Sequence, residues 1–295
     1  MPVRRLLGIC IVLACVSLSV AADVVPWKPA RISSPMFESH AAFDPRTGDL
    51  YFVRSSPDFS GWRILESHCT ADGWSEPRPW ALALAGDGLE ADPYFTPDGK
   101  SFYFISTRST DGVDKPVDLD IWRVDRDADG KWGTPWRLPV PVNSTGAEWF
   151  PRPAPDGWLY FGSSRPGGQG KNDIWRARED KAGKWRVEDL GPNVNSAGEE
   201  YEAFPSPDGK RLVIMGEEGL YESFADGKGG WGPKRKLGPD VDVNATEIGA
   251  LLSPSGRSML FSRDTKGPDS GEFFLQRSSP PEDWPPACLA KKAQL

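Results

Sequence analysis

Histidine is scarce in this sequence of 295 residues, which contains only His40 and His68. A metal site built from several histidines is therefore excluded, and a Ser-His-Asp hydrolase would have to use one of these two residues. Basic blocks are also missing. The 35 Lys and Arg are outnumbered by 42 Asp and Glu, and the net charge of −7 argues against nucleic acid or an anionic membrane as the partner. The G-x-S-x-G, P-loop, C-x-x-C and dinucleotide motifs are absent as well, so any catalysis would depend on carboxylates.

Long apolar runs are limited to the amino terminus. Two arginines precede the apolar run 6–20, and Ala22 ends a cleavage sequence of small residues. This pattern is typical of a secretory signal peptide over residues 1–22, so we expect a periplasmic or secreted protein whose mature chain begins at Asp23. A lipoprotein anchored at Cys15 is the alternative. No later segment is apolar and long enough to cross a bilayer.

Glycine and proline are abundant, with 31 and 29 copies, and they recur in a pattern. Five Pro-containing turns that end in Gly are each followed by a short aromatic or aliphatic run, which predicts a β-hairpin. The turns lie at residues 44–48, 95–99, 154–157, 206–209 and 253–256. A third strand follows each hairpin, and a fourth is predicted beside a recurring tryptophan. These tryptophans are Trp27, Trp74, Trp132, Trp185, Trp231 and Trp284.

Four short antiparallel strands per unit of about 50 residues are typical of propeller blades. The sequence therefore predicts an all-β protein with one propeller domain over residues 23–295. Its repeats lie near 38–80, 90–138, 148–190, 200–236 and 247–290. Five blades are favoured over six. The surplus strand at Trp27 suggests that an amino-terminal strand completes the last blade, although Trp284 competes for that place.

The third repeat carries the clearest family resemblance. Its turn Pro-Asp-Gly, the aromatic strand after it and the segment 163–175, which ends in Asp-Ile-Trp, resemble the WD40-like PD40 repeat of TolB-type periplasmic β-propellers. The resemblance covers residues 27–290. TolB-like propellers usually have six blades, so the resemblance implies the six-bladed alternative. It is informative about fold and weak for function, because propellers carry many unrelated activities.

Glutamate stands seven residues before the turn proline in every repeat, where the innermost strand is predicted to begin. Arginine recurs at the end of the second strand and aspartate at the start of the third, so antiparallel geometry places all three on one face of the ring, around the channel mouth. The residues are Glu38, Glu90, Glu148, Glu200 and Glu247, then Arg54, Arg108, Arg165 and Arg263, then Asp120 and Asp173. Three alternatives follow: a ring that binds a ligand or ion, glutamates that pair with arginine or loop amides within each blade, or catalysis.

The fourth repeat departs from this pattern. It has Gly and two Glu at 216–218 where the other repeats have arginine, and Glu199 and Glu202 lie beside Glu200. We therefore expect an uncompensated carboxylate cluster in that blade, suited to a metal or a basic partner.

Other residues are weaker candidates. Asp125, Asp127 and Asp129 match the first half of a calcium loop, but Trp136 stands where that loop requires Glu. The segment is either a polar turn or a weak Ca²⁺ site, and no other cofactor is expected.

Three aromatic residues stand apart from the repeat. Trp149 and Trp158 do not recur, so they are predicted to make exposed contacts. His40 follows Glu38 by two residues and could form an acid–base pair with it or simply hydrogen-bond to it.

The mature chain keeps two cysteines, Cys69 in the first repeat and Cys288 in the last. In a closed ring these repeats are neighbours, and an oxidising compartment permits a disulfide between them, with two free thiols as the alternative.

The preferred function is non-catalytic. We expect a monomer that binds an envelope protein, a peptide or a glycan through one face of the ring. The alternative is a carboxylate-dependent glycan hydrolase or lyase.

Overall fold

The computed structural model describes residues 23–109, 118–238, 241, 243, 247–265 and 270–288. The predicted signal peptide lies outside the described residues. All regular structure in the described part of the chain is β: five four-stranded antiparallel sheets and one two-stranded hairpin. The five sheets are the blades of a five-bladed propeller, which confirms the predicted fold class and the preferred blade number. Within these ranges no helix has the length and apolar character of a membrane span.

Each blade runs outward from the channel in chain order, except that the first strand of the chain belongs to the last blade. Strand β1 is Asp23–Trp27. The first blade has β2 (Phe37–Phe43), β3 (Leu50–Ser55), β4 (Arg63–Ser67) and β7 (Arg78–Pro79), with the hairpin β5 (Cys69–Thr70) and β6 (Gly73–Trp74) beside it. The second has β8 (Glu90–Phe95), β9 (Ser101–Ser106), β10 (Asp120–Asp125) and β11 (Trp136–Arg137).

The remaining three blades repeat this order. The third has β12 (Glu148–Pro153), β13 (Leu159–Ser163), β14 (Asp173–Glu179) and β15 (Trp185–Asp189). The fourth has β16 (Glu200–Pro205), β17 (Arg211–Gly216), β18 (Gly219–Phe224) and β19 (Arg235–Lys236). The fifth has β20 (Glu247–Leu252), β21 (Met259–Arg263) and β22 (Glu272–Arg277), and β1 is its outer strand.

The Pro-Asp-Gly sequences form the turns between the first two strands of a blade. In the second blade Gly99 has φ +65°, a value that suits glycine, and its N–H donates to the Thr96 carbonyl at 2.8 Å. The Asp98 carboxylate accepts from the Thr96 hydroxyl at 2.7 Å and from the Lys100 N–H at 3.1 Å. Local turn chemistry therefore fixes the register of each hairpin.

The ring closes through its amino terminus. Strand β1 pairs antiparallel with β22, from Asp23 opposite Arg277 to Trp27 opposite Phe273. This confirms the predicted completion of the last blade, and Trp284 lies in irregular chain after it. Cys69 and Cys288 form a disulfide with Cα atoms 5.1 Å apart, so the first blade is also joined covalently to the segment that follows the fifth.

The tryptophan pattern locates the outer strands only approximately. Trp185 lies in β15 as predicted, whereas Trp132 and Trp231 each make an isolated bridge with the residue that follows the third strand of their blade. The outer strand starts about four residues later in both blades. The prediction is wrong at these positions because the tryptophan serves as a packing residue before the strand: Trp132 lies under the guanidinium of Arg126, 4.0 Å from its Cζ.

The core lies between blades, where each sheet packs face to face on the next. Middle strands are therefore buried on both faces, as in β3, where Leu50, Tyr51, Phe52 and Val53 are all at most 4% exposed. The innermost strands line the central channel.

Candidate functional site: the central channel

The five repeated glutamates begin the five innermost strands, and every one is buried, with at most 2% of its surface exposed. In four blades the carboxylate links the loop that enters the blade to the arginine at the end of the second strand. Glu148 shows the arrangement fully: it accepts from the Ser144 hydroxyl at 2.6 Å, the Ser144 N–H at 3.2 Å, the Ser163 hydroxyl at 3.0 Å and the Arg165 guanidinium at 3.0 Å.

The predicted arginines are the partners of these glutamates in four blades. Arg54 Nε lies 2.8 Å from Glu38 Oε1 and Arg263 Nε lies 2.7 Å from Glu247 Oε1, and Arg108 is hydrogen-bonded to Glu90 in the same way. Each of these arginines also donates to a loop carbonyl, as Arg54 does to Ile32 at 2.9 Å. Pairing within the blade therefore describes the geometry of these residues.

The fourth blade holds a cation that the sequence analysis missed. Lys234, just before β19, is hydrogen-bonded to Glu200, and its ammonium lies 5.0 Å from the centre of the Tyr221 ring. The expectation of an uncompensated carboxylate at Glu200 is therefore wrong. The lysine could not be found from the repeat because it comes from the outer part of the blade instead of the second strand.

Burial dominates the protonation of two of these carboxyls. It raises the pKa of Glu38 and of Glu148, although the paired arginine and the neighbouring serine hydroxyls act in the opposite direction. A buried, internally satisfied carboxylate of this kind holds a loop in place.

The predicted aspartates also bond within their own blades. Asp120 makes a bidentate pair with Arg137 at 2.6 and 2.7 Å, and Asp173 accepts from the N–H groups of Gln169 and Gly170 at 3.0 and 3.1 Å. In the candidate calcium loop, Asp125 pairs with Arg123 at 2.7 Å, and the Asp127 carboxylate caps the N–H groups of Asp129 and Lys131. Within the described ranges, no three or more His, Cys, Asp or Glu residues are grouped as metal ligands.

A second ring lies two residues after the glutamates, at a bulge that interrupts every innermost strand. The positions are His40, Asp92, Phe150, Glu202 and Gly249. At four of them the backbone has positive φ: 53° at His40, 56° at Asp92, 51° at Phe150 and 64° at Gly249. Left-handed backbone is unfavourable for non-glycine residues, and for Phe in particular, and such strain concentrates at functional sites.

Three of these side chains meet at the middle of the channel. His40 Nε2 lies 3.3 Å from Glu202 Oε1 and 3.6 Å from Asp92 Oδ1. Asp92 also accepts from the Phe150 N–H at 2.9 Å, and Glu202 from the Gly249 N–H at 2.9 Å. Burial raises the pKa of Asp92 to about 6. His40 is therefore bound to carboxylates of the second and fourth blades rather than to the nearby Glu38.

An aromatic pocket of about 190 Å³ opens above this cluster, on the face that carries the repeated glutamates. Its walls are Phe59, Trp62, Trp149, Phe150 and Tyr201. Trp62 and Trp149 meet edge to face, with centroids 6.1 Å apart and planes at 75°. His40 and Asp92 lie at its floor, and Glu199 at its edge. A loop of the first blade thus reaches the innermost strand of the third blade.

The two unrepeated tryptophans have different environments. Trp149 is half-buried and lines the aromatic pocket, so the exposed contact expected there stays a prediction. Trp158 is only 6% exposed and is covered by Arg176, Arg178 and Arg186, whose Cζ atoms lie 4.3–4.7 Å from its ring. The prediction of exposure at Trp158 is wrong because these arginines cover the ring.

A wider cavity of about 850 Å³ opens at the opposite end of the channel, on the face of the Pro-Asp-Gly turns. Tyr94, Arg152 and Phe204 lie in its wall, four residues after the repeated glutamate of their blades. The channel therefore has an aromatic end with a carboxylate floor and a wider end that contains a buried arginine.

No family model matches the chain. A protein of Agrobacterium fabrum described as uncharacterized is 34% identical over 122 residues, which are 41% of this chain and 34% of that protein. The chain thus aligns with about a third of the length of this relative.

Solved structures with similar architecture have low sequence identity to the chain. A gluconolactonase of Xanthomonas campestris has 11% identity and a TM-score of 0.49, with 86% of this chain and 88% of that chain covered. An α-L-arabinanase of Penicillium chrysogenum has 14% identity and a TM-score of 0.48, with 78% and 72% covered. A TolB candidate from Agrobacterium tumefaciens has 20% identity and a TM-score of 0.39, with 68% and 80% covered. These neighbours include both enzymes and a TolB-like protein, and the similarity concerns architecture alone.

Proposed function

We propose that the protein is an exported, non-catalytic binding propeller whose aromatic pocket takes up a cationic side chain of a peptide or protein partner. The observation that carries this proposal is the combination of five aromatic walls with the buried carboxylate of Asp92, which is 1% exposed, at the floor. Aromatic faces attract cations, and the attraction grows when the site is desolvated.

The charges around the pocket favour a cation over an anion. Asp92 and Glu199 are the acidic groups among its lining residues, and His40 is the one lining residue that can carry positive charge. Glu202 adds a further carboxylate on the other side of His40, at 3.3 Å. A Lys or Arg head group would therefore meet negative charge at the floor and negative ring faces at the walls.

The shape of the pocket favours a side chain over a glycan. A sugar ring stacks on a broad, open aromatic face, whereas Trp62 and Trp149 stand at 75° to each other and enclose a narrow space. The volume of about 190 Å³ suits one side chain and is below the range of pockets that hold larger ligands.

Calorimetric titration with matched peptides tests the proposal. One peptide carries a central Lys, and the second has norleucine in its place. We expect the Lys peptide to bind at least tenfold more tightly, and Trp149→Leu to weaken it about tenfold or more, as the loss of one desolvated cation–π wall implies.

Trp136→Leu is the matched control, since Trp136 lies on an outer strand and is 38% exposed. Equal affinity for the two peptides, or equal losses in both tryptophan variants, would overturn the proposal.

A second candidate is a carboxylate-dependent glycan hydrolase or lyase, and one observation favours it. Asp92 and Glu202 both reach His40 Nε2 within 3.6 Å, so their oxygens are no more than about 7 Å apart, which two-acid glycoside hydrolysis allows. Each carboxylate is nevertheless at most 1% exposed and accepts a backbone N–H. Release of reducing ends from a polysaccharide panel, abolished by Asp92→Asn, would favour the enzyme over the binding protein.

A further inference from the structure

We propose that Arg152 forms an anion site for a carboxylate-bearing ligand in the wide cavity on the turn face, at the end of the channel opposite the aromatic pocket. The site is separate from the proposed peptide pocket. The proposal rests on the buried guanidinium of Arg152, which, among the residues that the structure describes, is not paired with a carboxylate as the other arginines around the channel are.

The guanidinium of Arg152 is held between two aromatic rings. Its Cζ lies 4.8 Å from the centre of the Tyr94 ring and 5.2 Å from that of Phe204, which belong to the second and fourth blades on either side. The residue is only 3% exposed. Stacking of this kind fixes the plane of the guanidinium, so its donors point in set directions before any ligand arrives.

The donors of Arg152 are poorly used by the protein. Nη1 donates to the neighbouring Pro151 carbonyl at 3.2 Å, and Nε is buried with no hydrogen-bond partner in the described part of the chain. Buried donors without partners are unfavourable, because the group has lost its water without replacement. Because Nε itself has no exposed surface, a ligand oxygen reaches it only after the guanidinium shifts within its plane between the two rings, and that contact would remove the penalty.

The other arginines at the channel show what is missing. Arg54, Arg165 and Arg263 each have a glutamate oxygen within 3.0 Å. Arg152 has no carboxylate within salt-bridge distance among the described residues. Its closest anionic neighbours, Asp92 and Glu202, interact with it at longer range and are already engaged by His40 and by backbone N–H groups.

The cavity has the size and charge for a small organic anion. Its volume of about 850 Å³ lies in the range of ligand sites. Four basic and two acidic side chains line it: Lys100, Arg123, Arg126 and Arg152, then Asp98 and Asp125. Three of these cations are paired with carboxylates: Lys100 with Asp98, Arg123 with Asp125 and Arg126 with Asp44. Arg152 is the remaining cation among the described lining residues, and its planar guanidinium suits the planar carboxylate of a ligand, which accepts parallel N–H bonds from arginine.

Calorimetric titration of the full mature protein tests the site with three probes: glutarate, its uncharged analogue glutaramide, and inorganic phosphate. We expect glutarate to bind at least tenfold more tightly than glutaramide. Arg152→Gln should reduce glutarate affinity at least tenfold. Arg186→Gln, which removes the same charge from an outer strand where Arg186 is 60% exposed, should leave it unchanged.

Arg152→Lys keeps the charge and loses the planar fork, so it should show a clear part of the same loss even if Arg152→Gln does not fold. Tighter binding of phosphate than of glutarate would overturn the carboxylate assignment. Equal binding of glutarate and glutaramide by the natural protein, or equal losses in the Arg152 and Arg186 variants, would overturn the site itself. Because Trp149 does not line this cavity, Trp149→Leu should leave glutarate affinity unchanged, which separates this site from the peptide pocket.

Discussion

The disulfide between Cys69 and Cys288 should contribute a large share of the stability of the ring. It joins residues separated by 219 positions. In the chain-entropy description, a closed loop of that length removes roughly 5 kcal/mol of conformational freedom from the unfolded chain, and measured values are commonly smaller because the unfolded state keeps some structure. We therefore expect the double variant Cys69→Ser, Cys288→Ser to lose about 3–5 kcal/mol of unfolding free energy.

Urea unfolding followed by tryptophan fluorescence measures this loss, once with and once without reductant. With reductant, the natural protein should lose unfolding free energy in urea. On heating, its melting temperature should fall by roughly 6–10 °C. The double variant should be insensitive to reductant, which controls for other effects of the reagent. A loss below about 1 kcal/mol, or two titratable thiols in the unreduced, unfolded protein, would refute the reasoning.

Three further predictions follow from the channel and the ring closure. Since burial raises the pKa of Asp92 to about 6, the folded state binds this proton more tightly than the unfolded chain, so stability should fall as pH rises from about 4 to about 6. Asp92→Asn should reduce that fall, by up to about 2 kcal/mol between pH 4.5 and 7.5 in urea titrations. Arg263→Met removes the arginine partner of the buried Glu247 and should cost about 3–5 kcal/mol, whereas Arg277→Met, at an exposed pair, should cost less than about 1 kcal/mol in the same assay. Amino-terminal sequencing of the exported protein should give Asp23, the first residue of the strand that completes the fifth blade, and a lipidated Cys15 terminus would contradict this.

The fold could be predicted because its signals are local and repeated. The turn sequences place a glycine where positive φ is needed, and the runs after them are of strand type, so the five hairpins follow from short segments. Closure of the ring by the strand at Trp27 could also be predicted, because the sequence has more outer strands than complete repeats. The exact bounds of the outer strands could not be predicted, because two-residue strands such as Arg235–Lys236 carry little sequence signal.

The candidate sites could be predicted only in part. Glutamates and arginines at constant offsets are visible as a repeat, and their pairing follows from antiparallel geometry. Lys234 replaces the arginine from the segment just before the outer strand, which no constant offset reveals. The pocket depends on Trp62 and Trp149, which are distant in sequence and belong to the first and third blades. Such a contact follows from the curvature of the ring, which a linear pattern does not specify.

The contrast between the two rings of side chains suggests how this scaffold separates structure from function. The first ring, formed by the repeated glutamates, has the same residue type in every blade, and its charges are paired with side chains of the protein. The second, two positions later, has His40, Asp92, Phe150, Glu202 and Gly249, a different residue in each blade. A search for conserved spacing and residue type detects the first ring and overlooks the second.

The backbone at the second ring is strained at three of its five positions. Glycine would adopt positive φ there without strain, yet three of these positions carry His, Asp and Phe at φ 51–56°. At position 249 glycine is needed for a steric reason, because a Cβ there would lie 2.7 Å from the backbone nitrogen of His40. Strain of order 1 kcal/mol or more at each non-glycine position has to be offset by the surrounding blades. The repeated glutamates fix the start of each innermost strand two residues before this ring, through hydrogen bonds to the loop that enters the blade. We therefore expect substitution of a repeated glutamate to disturb the bulge that follows it.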